Sequence, residues 1–136
     1  MEEGKRKLVL LSDSYAVCRL DADAPVPEWG TRGTFSSVTR TSGELSLVCP
    51  DAQVPAGVER VCGWKILMVE GPLDFSLTGV LDSLIGPLAR EGISVFSLST
   101  YDTDYLLTKQ EHVKEAIQVL EAEGYNVETG YRECAE

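Results

Sequence analysis

Apolar positions along the second half of the chain switch between strand and helix periods, and the order of the switches predicts a fold. Trp64 to Glu70 (WKILMVE) is a buried-strand run closed by Gly71-Pro72. Leu77, Val80, Leu81, Leu84, Ile85 and Leu88 then recur at helical spacing and stop at Gly92. Ser76 or Asp74 is placed to cap this helix, and Gly86-Pro87 near its end predicts a kink or a loosened last turn. Ile93 to Leu98 and Tyr105 to Thr108 read as two strands joined by a short polar turn. Thr108-Lys-Gln-Glu111 has the capping-box pattern of a helix start. Val113, Ala116, Ile117 and Leu120 form that helix's apolar stripe, Gly124 ends it, and Tyr125 to Thr129 is a last short strand. The order β-α-β-β-α-β predicts an α+β class. Two helices would lie on one face of a four-stranded antiparallel sheet, the ferredoxin-like arrangement.

The N-terminal half repeats this order in worn form. Tyr15 to Leu20 is a strand, and Pro25 to Gly30 stands where the first helix belongs, too short and too Pro-broken to form one. Phe35 to Arg40 and Glu44 to Cys49 make a hairpin about Thr41-Ser42-Gly43, and Val54 to Val58 lies near the place of the second helix. Setting Ser42–Leu47 beneath Asp102–Leu107 aligns the two hairpins without a gap. The expected organisation is a degenerate N-terminal unit over residues 1–62 and a complete C-terminal unit over 63–136. Neither is comfortably large enough to be stable alone, so one fused core is expected.

Composition narrows the function. The chain has 136 residues, 43% of them hydrophobic, and a formal charge of −10 from 22 acidic and 12 basic residues. Nucleic-acid backbones and anionic membranes require the opposite sign, so neither is an expected partner. No apolar run approaches the roughly 18 residues of a membrane span. The run Leu8–Leu11 behind the charged N-terminus is cut by Ser12 and Asp13, so no signal segment is expected and a cytoplasmic protein is. Cys18, Cys49, Cys62 and Cys134 are far apart, with one histidine in the whole chain, which argues against a structural zinc site. All four read as reduced structural thiols, Cys18 and Cys49 as buried ones. No metal and no cofactor are expected.

Two polar constellations remain. The first is the turn after Leu98, which crowds Ser99, Thr100, Tyr101, Asp102, Thr103 and Asp104 into one connection. Taken alone it is accounted for by local turn chemistry, since Asp, Ser and Thr bond their own backbone. Tyr101 is the exception, because a large aromatic ring in a turn either lines a pocket or an interface or stays exposed. The second is Glu70-Gly-Pro-Leu-Asp-Phe-Ser-Leu-Thr-Gly79, which leads from a strand into a helix N-terminus. Such a terminus attracts carboxylates and phosphates. Internal capping by Asp74 or Ser76 is the plainer reading, and Gly79 moves the balance because it costs helix propensity while admitting a ligand to the backbone. No P-loop lysine follows, so phosphate binding has little support. His112 falls on a solvated helix face, no Ser or Cys has an obvious base, and an enzyme is not expected.

The run Ile93-Ser-Val-Phe-Ser-Leu-Ser-Thr-Tyr-Asp-Thr-Asp-Tyr105, with Gly71-Pro-Leu-Asp-Phe-Ser-Leu-Thr-Gly79 before it and Tyr15-Ala-Val-Cys-Arg-Leu20 at the front, resembles the ACT-domain family. The likeness spans about Leu8 to Leu120, is strongest in the turn, and is nearest to small bacterial tandem ACT proteins and the branch holding the cytosolic arginine sensor of animals. It implies tandem ACT-like βαββαβ units, the N-terminal one degenerate, acting as a non-catalytic regulatory ligand sensor. The implied ligand is an amino acid held where two units meet, in a homodimer that supplies the second pair of units. By the same resemblance Ser94 and Val95 come from one unit. Ser76, Leu77, Thr78 and Gly79 of the loop leading into the helix, with Thr100, Tyr101 and Asp104 of the turn, come from the other. The arginine-sensing branch carries an acidic residue where this chain has Leu77, so one charged contact to a guanidinium is missing here. A protein-interaction or scaffold module without ligand binding is the alternative.

Overall fold

The computed structural model describes residues 7–70 and 79–131. They divide into two compact units. One is Asp13–Trp64, and the other is built from the segment ending at Ser12 together with Lys65 onward.

The unit from Asp13 to Trp64 contains β2 (Tyr15–Leu20), β3 (Ser37–Arg40), β4 (Leu45–Pro50) and the first half of β5 (Glu59–Val69), following β1 (Lys7–Leu11) in the chain. Its strands run in the order β3-β4-β2-β5, all antiparallel. That is the strand order of a ferredoxin-like unit, with both helices reduced to 3-10 turns at Glu28–Thr31 and Asp51–Gln53. The prolines at 25 and 27 explain the first loss, because each removes a backbone donor. Ala16, Cys18, Leu45, Leu47, Cys49 and Val54 bury one face of this sheet, with Trp29 and Val58 packed against them where helices would otherwise lie. Burial pushes the Cys18 thiol up to about 11, with Cys49 beside it adding to the shift, and burial also raises Cys49. Neither is a thiolate at neutral pH, as the sequence reading of structural thiols requires. Cys62 is exposed.

Between Tyr15 and Val17 the β2–β5 register slips, from Tyr15↔Trp64 to Val17↔Val61. Gly63, at φ +83°, supplies the left-handed residue that such a bulge needs. The strand is therefore far longer than the run from Trp64, whose first half is hidden in the polar sequence Glu-Arg-Val-Cys-Gly.

The other unit holds the second half of β5, α1 (Val80–Arg90), β6 (Val95–Ser99), β7 (Asp104–Lys109), α2 (Val113–Ala122) and β8 (Asn126–Tyr131). Its strands are ordered β6-β7-β5-β1-β8. β1 is a strand that the sequence reading missed. It slots between β5, to which it is antiparallel, and β8, to which it is parallel, so the sheet has five strands where four were expected. Leu8, Leu67, Val69 and Leu106 of the sheet pack against Leu84 and Leu88 of α1 and Ala116 and Leu120 of α2, which fixes both helices on one face. The α+β class and the ACT-like ferredoxin architecture hold.

α1 runs through the buried Pro87 to Arg90 and stops before Gly92, as its apolar spacing predicts. Two local expectations change. Thr108 is not a helix cap. β7 continues to Lys109, a 3-10 turn at Gln110–His112 intervenes, and the buried Thr108 hydroxyl donates instead to the Ser94 carbonyl, 3.2 Å away. The gapless hairpin alignment is also off by one. Arg40 pairs with Leu45 and Ser99 with Asp104, so Thr41 matches Thr100 and Leu45 matches Asp104.

Among the described residues no helix is long and apolar enough to cross a membrane.

Candidate ligand-binding site

The turn between β6 and β7 is held by threonine chemistry. The Thr100 amide donates to the Thr103 carbonyl at 2.8 Å, and the Thr103 amide donates to the Thr100 hydroxyl oxygen at 3.3 Å. Thr41 and Glu44 make the same pair of contacts in the other hairpin, at 2.9 and 3.2 Å. Two turns of one backbone design thus differ only in what they display. Where one shows Tyr101 and Asp104, the other shows Ser42 and Leu45.

The Thr103 side chain turns inward. Its hydroxyl donates to the Val69 carbonyl at 2.6 Å, the last residue of β5, and the residue is 7% exposed. This latch joins the turn to the strand end from which the chain leads towards α1. Sequence reasoning placed Thr103 in the turn but gave it no role, because its partner lies 34 positions away. Thr103→Val should cost about 1–3 kcal/mol, since it strips a hydrogen bond from a buried carbonyl without changing shape. Thr103→Ser should recover most of the loss in urea unfolding, and equal losses for both variants would remove the latch from the account.

Asp104 alternates with Leu106 and Thr108 on the helix-bearing face of β7, so its carboxylate belongs on the same side of the sheet as α1. Ser99, its cross-strand partner, donates to Oδ1 at 2.5 Å and holds the carboxylate in place. Oδ2 is left unengaged among the described residues. Tyr101 at the tip is 81% exposed, so of the alternatives for a turn aromatic it takes the open one.

Gly79 stands at the N-cap of α1 with φ +80°, a conformation that a residue with a Cβ adopts only at a cost. Having no side chain, it leaves the first helical N–H groups without a cap from that position. Ser76, Leu77 and Thr78, with Asp74, lie outside the described residues.

Ser94 and Val95 are at the other end of β6. At about 3.3 Å per residue, five residues set Val95 roughly 16 Å from Thr100. Within one chain the two groups of candidate residues do not converge. The turn and the strand end before α1 are brought together; Ser94 and Val95 are not.

Comparison with known proteins gives this geometry a family. The ACT-domain family model matches residues 59–122, and a model for an N-terminal domain matches residues 13–57. The chain is 32% identical over 59 residues to the "Cytosolic arginine sensor for mTORC1 subunit 1" of Homo sapiens, a match covering 43% of this chain and 18% of that protein. A protein of Agrobacterium tumefaciens of known crystal structure is 34% identical, with a TM-score of 0.89 over 98% of this chain and 100% of the other. The regulatory subunit of aspartate kinase from Thermus flavus shares the fold at 10% identity, with a TM-score of 0.64 over 89% of this chain and 99% of that one. The match therefore spans less than a fifth of the arginine sensor's length, whereas the likeness to the Agrobacterium protein runs the full length of both chains. The stretch from β5 to α2 therefore belongs to the ACT-domain family, and in that unit the chain is an ACT-domain protein similar to the arginine sensor.

Proposed function

We propose that this chain is a non-catalytic regulatory module that binds an amino acid between ACT units of a homodimer in the cytoplasm. The reading divides the chain into a degenerate N-terminal ACT-like unit within residues 1–62 and a complete unit within 63–136, with β1 contributing to the second. The observation that carries it is the pairing of an oriented carboxylate, Asp104, with a turn latched to the strand end before α1. The ammonium group of an amino acid would meet Asp104 and the turn, and its carboxylate would meet the N–H groups at the start of α1. Ser76, Leu77, Thr78 and Gly79 would line the loop side, with Thr100 and Tyr101 covering the ligand.

Ser94 and Val95 come from a second copy in this reading. β6 is an edge strand, paired only with β7 among the described residues. An antiparallel pairing of two β6 edges would set the start of one strand, at Val95, opposite the end of the other, at Ser99. That supplies the missing side of the pocket twice, once at each end, as a two-fold axis requires. Cytosolic placement follows the arginine sensor, whose name states it.

The test is a thermal-shift screen of the twenty amino acids with light scattering at micromolar protein. A dimer is expected, stabilised by one or a few amino acids, since a ligand at 100 times its Kd adds about 2.7 kcal/mol. Asp104→Ala should abolish the shift while leaving the dimer intact. A strictly monomeric protein, or no shift with any amino acid, would leave the scaffold reading in its place.

A further inference from the structure

A cavity lies wholly within the Asp13–Trp64 unit, on the sheet face opposite its core. It encloses about 230 Å³ over β4, β2 and the first half of β5. Two rows of side chains cross this face in register. Ser46, Arg19 and Glu59 form one row, and Val48, Val17 and Val61 the next. Towards β2's start the face is closed, because Tyr15 is fully buried with its ring edge-on to Phe35. Towards Arg19 it is open, and Val61 is 52% exposed.

The open row carries one charge of each sign, Arg19 on β2 and Glu59 on β5. Arg19 is anchored by one of its N–H groups, Nη2 donating to the Gly43 carbonyl at 3.0 Å. A guanidinium carries five N–H donors, so the rest remain for a ligand. Arg60, at the cavity's side, is likewise tied down, with Nη1 on the Val54 carbonyl at 2.9 Å. The Glu59 and Glu44 carboxylates, which flank the cavity, have no hydrogen-bond or ion-pair partner among the described residues. Neighbouring strands are about 4.8 Å apart, which sets Ser46, Arg19 and Glu59 at intervals suited to a small zwitterion.

From this juxtaposition we infer a second ligand site on the open sheet face of this unit, selective for a small zwitterion with an apolar tail, that is, a small aliphatic α-amino acid. The ligand carboxylate would lie on Arg19 and the Ser46 hydroxyl, its ammonium on Glu59 of the neighbouring strand, and its side chain on Val17 and Val61. A charged row next to an apolar row discriminates by shape and polarity together, as small-molecule pockets do. Nothing in this site depends on the turn at Thr100–Asp104, so failure of either leaves the other standing.

Residue-resolved NMR separates the two. L-valine and L-alanine are titrated separately into the ¹⁵N-labelled full chain while amide shifts are followed. Saturable shifts at Arg19, Ser46 and Val61 are expected, weakened at least about tenfold by Arg19→Gln and unchanged by Asp104→Ala. Ser46→Ala serves as a milder variant if Arg19→Gln perturbs the fold. The inference is overturned if neither amino acid moves those amides, or if the shifts persist undiminished in both variants. It is overturned equally if the same amides move on dilution without ligand, which would make the face a contact between copies.

Discussion

Leu106→Ala should remove about 3 kcal/mol of folding stability, a large share of the roughly 5–15 kcal/mol that folded domains hold in reserve. Leu106 is 1% exposed on β7 and belongs to the cluster in which both helices meet the sheet. The cluster also holds Leu67 and Val69 of β5, Leu84 and Leu88 of α1, and Leu120 of α2. These are held from several directions, so the site cannot collapse around a smaller side chain and a cavity remains. Leu98, half-buried on the neighbouring strand, should lose about 1 kcal/mol as alanine, because part of its area is already in water. Urea unfolding of the two variants makes the comparison. Equal losses would mean that the helices do not rest on β7 as described. The consequence reaches the candidate site, because Asp104 begins the strand that Leu106 anchors.

The C-terminal unit was largely legible because its signals are local. An apolar strand, a helical stripe, a hairpin and a second stripe follow one another, with Gly71-Pro72, Gly92 and Gly124 closing the strand and the two helical stripes. What escaped depends on partners distant in the chain. Lys-Leu-Val-Leu-Leu at residues 7–11 is a short apolar run with no period of its own, and its partners, β5 and β8, begin at residues 59 and 126. The capping-box pattern at Thr108 misled for a related reason. A hydroxyl three residues before a Glu satisfies the pattern, but here the hydroxyl finds the Ser94 carbonyl across the hairpin and the strand runs on. Thr103 shows the same limit at the site itself, since only the fold brings Val69 to it. The one-residue error in aligning the hairpins came from matching letters; the turn hydrogen bonds of Thr41 and Thr100 give the true correspondence.

That correspondence also explains why the two turns differ in chemistry while sharing a backbone. A threonine at the first turn position closes either hairpin by itself, so the remaining positions are free of structural duty. In one hairpin they became Ser42 and Gly43; in the other they became Tyr101 and Asp102, followed by an Asp104 held by Ser99. Closing the turn does not require Tyr101 to be aromatic or Asp104 to be acidic. These two side chains are therefore the ones the proposed site would depend on.

Gly33→Ala should be the second severe substitution, costing about 3 kcal/mol in the unit that has lost its helices. Gly33 has φ +100°, and a Cβ added there would come within 2.6 Å of Pro50 Cγ, 2.8 Å of Gln53 Oε1 and 3.0 Å of Pro50 Cδ. A proline ring cannot swing aside as a long side chain does. Gln53 cannot yield freely either, because its Nε2 donates to the Trp29 and Arg32 carbonyls at 2.8 and 3.1 Å and so pins the 3-10 turn that replaces the first helix. Two costs therefore add: about 1–2 kcal/mol for a left-handed backbone with a Cβ, and a further 1–3 kcal/mol for overpacking. Gly57 separates them, since it has φ +89° with nothing within 4 Å of an added Cβ. Gly57→Ala should show the backbone cost alone, and the difference between the two variants in chemical denaturation measures the contact with Pro50. If both lose the same stability, the loop after the 3-10 turn does not lie against Pro50, and the N-terminal unit is held together in some other way.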